Sequence, residues 1–166
     1  MRDKKIVITS LFLISWAGMI VYASSQPYAD QDVRPMLENF SLDWVGQLFG
    51  FVHFSYAGSE VSVEARGPAA FIEFFIRKGA HLITFTVLGS LFMWVYHTAN
   101  IRLPKAIALS LLSVGIFASI DEYRQFLHPD RSGLIEDVIL DTVGGILGII
   151  IYIALRRRAF RNKAKA

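Results

Sequence analysis

The chain has 166 residues, 54% of them hydrophobic and only 19% charged, where an average soluble domain carries roughly 25% charge. It has no cysteine, which excludes disulfides, a thiolate nucleophile and any cysteine-ligated metal. Its net charge of +3 comes without basic residues interleaved with exposed aromatics, so a nucleic-acid partner is excluded.

The first element is the uncharged run Ile6 to Tyr22, close to the roughly 17–25 residues that a bilayer-crossing helix needs. A cleavable signal peptide competes for it, with MRDKK as n-region and Val21-Tyr22-Ala23 as the small-residue site. The run is longer than the usual h-region, and Trp16 and Tyr22 suit a retained span. Ser24-Ser25-Gln26-Pro27 then ends the helix, because proline stops helical propagation.

A loop follows, residues 24–78. Within it, Asp30 to Phe51 places Val33, Leu37, Phe40, Trp44, Val45 and Leu48 three or four apart, and this predicts an amphipathic helix or helix pair lying on the membrane surface. HFSYAGSEVSVEARG alternates apolar and polar residues on both sides of Ala57-Gly58-Ser59 and predicts a small hairpin. Gly67-Pro68 opens the next helix. Phe71, Phe74 and Phe75 lead straight into Arg77, Lys78 and His81, so this helix starts outside the membrane.

Three further apolar runs follow: Leu82 to Tyr96, Ala106 to Ile120, and Val138 to Leu155, the last interrupted by Asp141 alone. The spans are expected at about residues 6–23, 79–97, 103–120 and 135–155, with a basic tail at 156–166. Residues 1–166 therefore read as one all-α integral membrane domain of four transmembrane helices.

Basic residues orient it. Arg2, Lys4, Lys5, Arg102, Lys105 and the tail from Arg156 to Lys165 share their side with Asp3 as its sole acid. All other acids fall on the opposite side. The positive-inside rule then places both termini in the cytoplasm of a multi-pass cell-membrane protein, N-in and C-in.

The outer ends of the spans collect charge. Arg77, Lys78 and His81 come from span two. Asp121, Glu122, Arg124, Gln125 and Arg131 come from the link after span three. Glu136, Asp137 and Asp141 come from span four. Asp137 and Asp141 are four apart on one helical face, and an aspartate at a helix centre costs about +2.5 to +3.5 kcal/mol in insertion. Such a group faces the bundle interior and a partner. Spans two and four are therefore expected to pack together, Asp137 and Asp141 facing Arg77, Lys78 or His81, with Gly144-x-x-x-Gly148 allowing close approach.

Ion pairs that merely fix helix register are the plainest reading of this cluster. A metal centre from His81, His128 and the carboxylates lacks HExxH-type spacing, so neither metal nor cofactor is expected. Neither Ser119 nor Ser132 sits in triad-like spacing.

At these residues the sequence resembles the VanZ-like family of small bacterial membrane proteins. The matching pieces are Ser24-Ser25-Gln26-Pro27, Arg77-Lys78-Gly79-Ala80-His81, Asp121-Glu122-Tyr123-Arg124-Gln125, Arg131, Asp137, and Gly144, Gly145 and Gly148. The resemblance also implies asparagine more often at position 141, where this chain has aspartate. It implies a cell-envelope protein whose founding member is linked to low-level teicoplanin resistance.

The expected function is recognition at an outer-face charged pocket of Arg77, Lys78, His81, Asp121, Glu122, Gln125, Arg131, Asp137 and Asp141. The partner is a membrane lipid headgroup or a lipid-linked wall precursor, met by the cationic forks. One alternative is a membrane enzyme acting on a lipid or wall intermediate, with His81 and Asp137 as its acid–base pair. The other is a structural or assembly protein without a ligand.

Overall fold

A computed structural model describes residues 2–127 and 133–163. The first apolar run forms α1 (Arg2–Ser24), which unwinds at Ser24-Ser25-Gln26-Pro27 as expected. The amphipathic helix or helix pair predicted over Asp30 to Phe51 is broken further. In its place are three short helices, α2 (Tyr28–Gln31), α3 (Arg34–Leu37) and α4 (Asp43–Phe49).

Two local features explain the break. Asp32 is extended and its carboxylate accepts from the Arg34 backbone N–H at 2.9 Å, which competes with helical bonding. Pro35 brings no N–H of its own and so starts a new helix. Apolar spacing alone missed both. Phe40 and Trp44 do face outward, but Val45 of α4 is buried against Val61 and Phe71.

The hairpin forms where alternation predicts it. Strands β1 (His53–Tyr56) and β2 (Ser59–Ser62) pair antiparallel across Ala57 and Gly58, at φ 50° and 75°. Positive φ at both positions is the two-residue turn whose twist suits paired strands. Ser62 then caps α5 (Val63–Arg66), accepting from the Ala65 N–H at 3.0 Å.

Gly67 turns the chain and Pro68 opens α6 (Pro68–Thr98). The 31-residue helix begins about 16 Å before Gly79, at 1.5 Å per residue. Two more long helices complete the chain, α7 (Leu103–Phe126) and α8 (Ile135–Lys163). Both outrun the expected spans. No breaker follows Ile120, so Asp121, Glu122, Arg124 and Gln125 occupy the last turns of α7, not a loop. Likewise α8 carries the basic tail on as helix to Lys163.

These four long helices are each long and apolar enough to cross a membrane. Helix α6 packs against the other three, most extensively against α8. Phe85, Leu88, Val114, Ala118 and Ile20 form one core cluster; Met93, Ala106 and Ile149 form another toward the far end. Around them Leu11, Ile14, Ile83, Ile116, Ile139 and Ile150 stay exposed. An apolar belt of this kind is what lipid covers.

The α6–α8 seam depends on glycine. A Cβ at Gly144 would lie 2.6 Å from the Leu82 carbonyl oxygen; at Gly148 it would strike the Thr86 carbonyl, and at Gly89 the Gly145 backbone. Ser90 Oγ also donates to the Gly148 carbonyl at 2.9 Å. The small-residue approach read from Gly144 and Gly148 is present.

Replacing Gly148 with leucine should therefore overpack this seam, at a cost of about 1–3 kcal/mol, visible as a lower melting temperature in detergent. Gly18→Leu, where a Cβ would meet no atom within 4 Å, should leave melting unchanged.

Candidate functional site

The C-terminal ends of α1 and α7 and the N-terminal parts of α6 and α8 meet at one end of the bundle, beneath the loop. There Lys78 Nζ lies 2.5 Å from Asp137 Oδ1, and His81 Nδ1 lies 3.2 Å from Asp141 Oδ1. Asp141 is fully buried and Asp137 is 7% exposed. The expected pairing across α6 and α8 is present for these four residues.

Arg77 does not join it. Successive helical residues point about 100° apart, so Arg77 and Lys78 cannot both face α8. Arg77 instead places its guanidinium 4.8 Å from the centre of the Tyr28 ring. Among the described residues it forms no ion pair with a carboxylate.

The hairpin adds a residue that sequence reasoning missed. Tyr56 donates its hydroxyl to Asp137 Oδ1 at 2.5 Å, and its ring lies 4.7 Å from Lys78 Nζ. Burial and the Asp137 carboxylate both push the Tyr56 phenol far up from its ordinary value, so it remains a donor.

A second layer comes from α7. Asp121 Oδ2 accepts from Ser24 Oγ at 2.8 Å and from Gln125 Nε2 at 3.3 Å. Arg124 Nη1 lies 3.8 Å from Asp121 Oδ1. Glu122 accepts from Gln125 at 3.3 Å and from the Leu134 N–H at 3.1 Å. Asp121 thus ties α1 to α7, and Glu122 ties the entry of α8 to α7.

Above these layers is a cavity of about 590 Å³. Among the described residues, four cations, Arg34, Arg66, Arg77 and Lys78, line it with two carboxylates, Glu73 and Asp137. Tyr28, Tyr56, His81 and Gln125 add polar groups. Asp121, Glu122 and Asp141, expected as pocket residues, brace the floor and do not line the cavity. Arg131, also expected here, lies outside the described residues, as do His128 and Ser132.

Tyr28, Arg34, Arg66 and Glu73 carried no sequence signal beyond charge, since they converge only once the loop folds. Tyr28 donates to Glu73 at 2.9 Å, and burial followed by that carboxylate raises its phenol. Arg34 forks onto Asp32 at 2.9 and 2.7 Å and reaches Glu73 at 3.5 Å. The Arg34 hydrogen bond holds the Asp32 carboxyl down at about 2. Arg66 donates to the Glu60 carbonyl at 2.8 Å and covers the Phe74 ring.

His81, Glu122 and Asp141 offer ligand atoms within 4.8 Å of one another, close enough to hold a metal ion. Each also has a protein partner: His81 and Asp141 bond to one another, and Glu122 bonds to Gln125 and Leu134.

A protein-family model described as VanZ/LLP1 matches residues 9–156, an interval holding the whole cavity and most of each long helix. No curated protein and no solved structure matches the chain.

Two outcomes follow from the ion pairs. Lys78→Met strands Asp137; removing one partner of a buried pair costs about 3–5 kcal/mol, and the 20% exposure of the Lys78 side chain puts the loss below that range. Lys78→Met with Asp137→Leu should recover most of it, so a double mutant melting no higher than the single one would refute the coupling. For Asp32, a depressed folded-state pKa stabilises above the unfolded value near 4, and that contribution is lost as pH falls toward about 2. Protection of α2 and α3 amides, taken relative to the intrinsic exchange rate at each pH, should therefore fall between about pH 4 and pH 2, and Asp32→Asn should remove that fall.

Proposed function

This chain belongs to the VanZ/LLP1 family, and on that premise we propose that it recognises an anionic lipid headgroup or lipid-linked wall precursor in the polar cavity. Membership and four apolar helices make it a cell-envelope membrane protein. The observation that carries the ligand reading is the lining itself: among the described residues, four cations against two carboxylates in about 590 Å³, directly above an apolar belt.

Within that cavity the side chains divide the work. Lys78 is occupied by Asp137 and Tyr56, so it shapes the wall. Arg34 is held by Asp32 and Glu73. Arg77 is in no ion pair among the described residues, and its planar fork suits two oxygens of a phosphate or carboxylate. Displacing the Tyr28 ring contact is a small cost beside a charge-assisted pair, since cation–π contacts at exposed sites contribute about 0.5–1 kcal/mol.

The proposed orientation sets both termini in the cytoplasm, because Arg156, Arg157, Arg158 and Arg161 sit at the opposite end of α8 from the cavity. The cavity then opens to the outer face of the cell membrane, where wall precursors are used. Tolerance of glycopeptides such as teicoplanin is the process proposed for it.

Arg77→Ala tests the site. Native mass spectrometry of the protein extracted with its lipids should show retained anionic lipid falling about tenfold or more, the scale of a lost charged hydrogen bond, with melting unchanged. Equal lipid retention, or a loss explained by a collapse in melting temperature, would count for a scaffold without a ligand.

A further inference from the structure

The polar cavity has an apolar neighbour. A second cavity of about 250 Å³ runs between α1 and α6, walled by Met19 and Ala23 on one side and Ala80 and Thr84 on the other. Arg77 and His81 line both cavities. Charge and hydrocarbon surface therefore meet where Arg77 and His81 stand between the two cavities.

Hydrogen bonds hold its sides together. Gln31 lines its top and donates to the Ala23 carbonyl at 2.6 Å. At depth, Trp16 Nε1 donates to the Thr84 carbonyl at 3.0 Å, which draws α1 onto α6. Between Arg77 and Phe85 the groove descends about 12 Å along α6, at 1.5 Å per residue. Its walls belong to helices long and apolar enough to cross a membrane, and in the proposed orientation lipid surrounds it there.

We propose that this groove holds a hydrocarbon chain of the same molecule whose phosphate sits at Arg77 and whose remaining headgroup fills the polar cavity. The inference rests on the headgroup reading and narrows it to one ligand class, a phosphate-bearing amphiphile. Three features select this occupant. The two cavities share residues, so one molecule can span both. The cationic junction matches a phosphate. The apolar groove lies at membrane depth, where a chain already in the bilayer enters without first being removed from water. A soluble phosphate would use Arg77 but gain nothing from Met19, Ala23 or Ala80.

Ala80→Phe fills the groove from α6 and Ala23→Phe fills it from α1, while neither residue lines the polar cavity. Binding of phosphatidylglycerol to the full-length protein in detergent is measured by native mass spectrometry, beside glycerol phosphate as the same headgroup without chains. Filling the groove with a phenyl ring should exclude the chain sterically and weaken phosphatidylglycerol about tenfold or more, and leave glycerol phosphate unchanged. Arg77→Ala should weaken both. If one filling variant misfolds on melting, the other supplies the result from the opposite wall.

Phosphatidylglycerol bound undiminished by folded filling variants, with Arg77→Ala still impaired, overturns the groove and leaves the headgroup reading standing. Glycerol phosphate binding as tightly as the lipid overturns it in favour of a free phosphate. No effect of Arg77→Ala on either probe overturns the headgroup reading itself.

Discussion

Carboxylates inside a bundle surrounded by hydrocarbon must find protons or cations, and the polar end of this protein is organised around that requirement. Asp141 has no exposed surface and Asp137 very little. Lys78 and His81 face them from α6 at matching depth. The Lys78–Asp137 ion pair, strengthened as the local dielectric falls, and the His81–Asp141 hydrogen bond tie α6 to α8 in one register. Once that register is set, Gly89, Gly144 and Gly148 fall where the two backbones nearly touch.

The same requirement propagates outward. Asp121 recruits Ser24, which brings the end of α1 to α7, and Glu122 takes the Leu134 N–H at the start of α8. Three chain ends are drawn together by two adjacent acids. Tyr56, delivered by a hairpin far away in sequence, closes the remaining side of Asp137. The loop is thus seated on the bundle through the charge cluster as well as through Val45, Val61 and Phe71.

Much of this was legible in the sequence. A lone aspartate within an apolar run demands a partner, and basic residues on only one other span lay at the right depth; the α6–α8 pairing followed. The Arg77 direction could have been read from the helical step that separates it from Lys78. The three short helices could not be read from apolar spacing alone, because Asp32 and Pro35 act through side-chain competition and a missing donor. The cavity was the least legible part. Tyr28, Arg34, Arg66 and Glu73 are distant in sequence or ordinary in type, and only tertiary folding assembles them. Asp121, Glu122 and Asp141 show the converse: charge marked them correctly as important, while burial made them struts of the floor and not its lining.

Helix α6 runs without a proline after Pro68 from the cavity wall at Glu73 to His97, whose Nδ1 shares a hydrogen bond of 2.9 Å with the Tyr152 hydroxyl. At 1.5 Å per residue those positions stand about 36 Å apart, one at each extremity of the bundle. The helix is continuous between them. The wall of the polar cavity and the distant His97–Tyr152 contact are thus built on one continuous element.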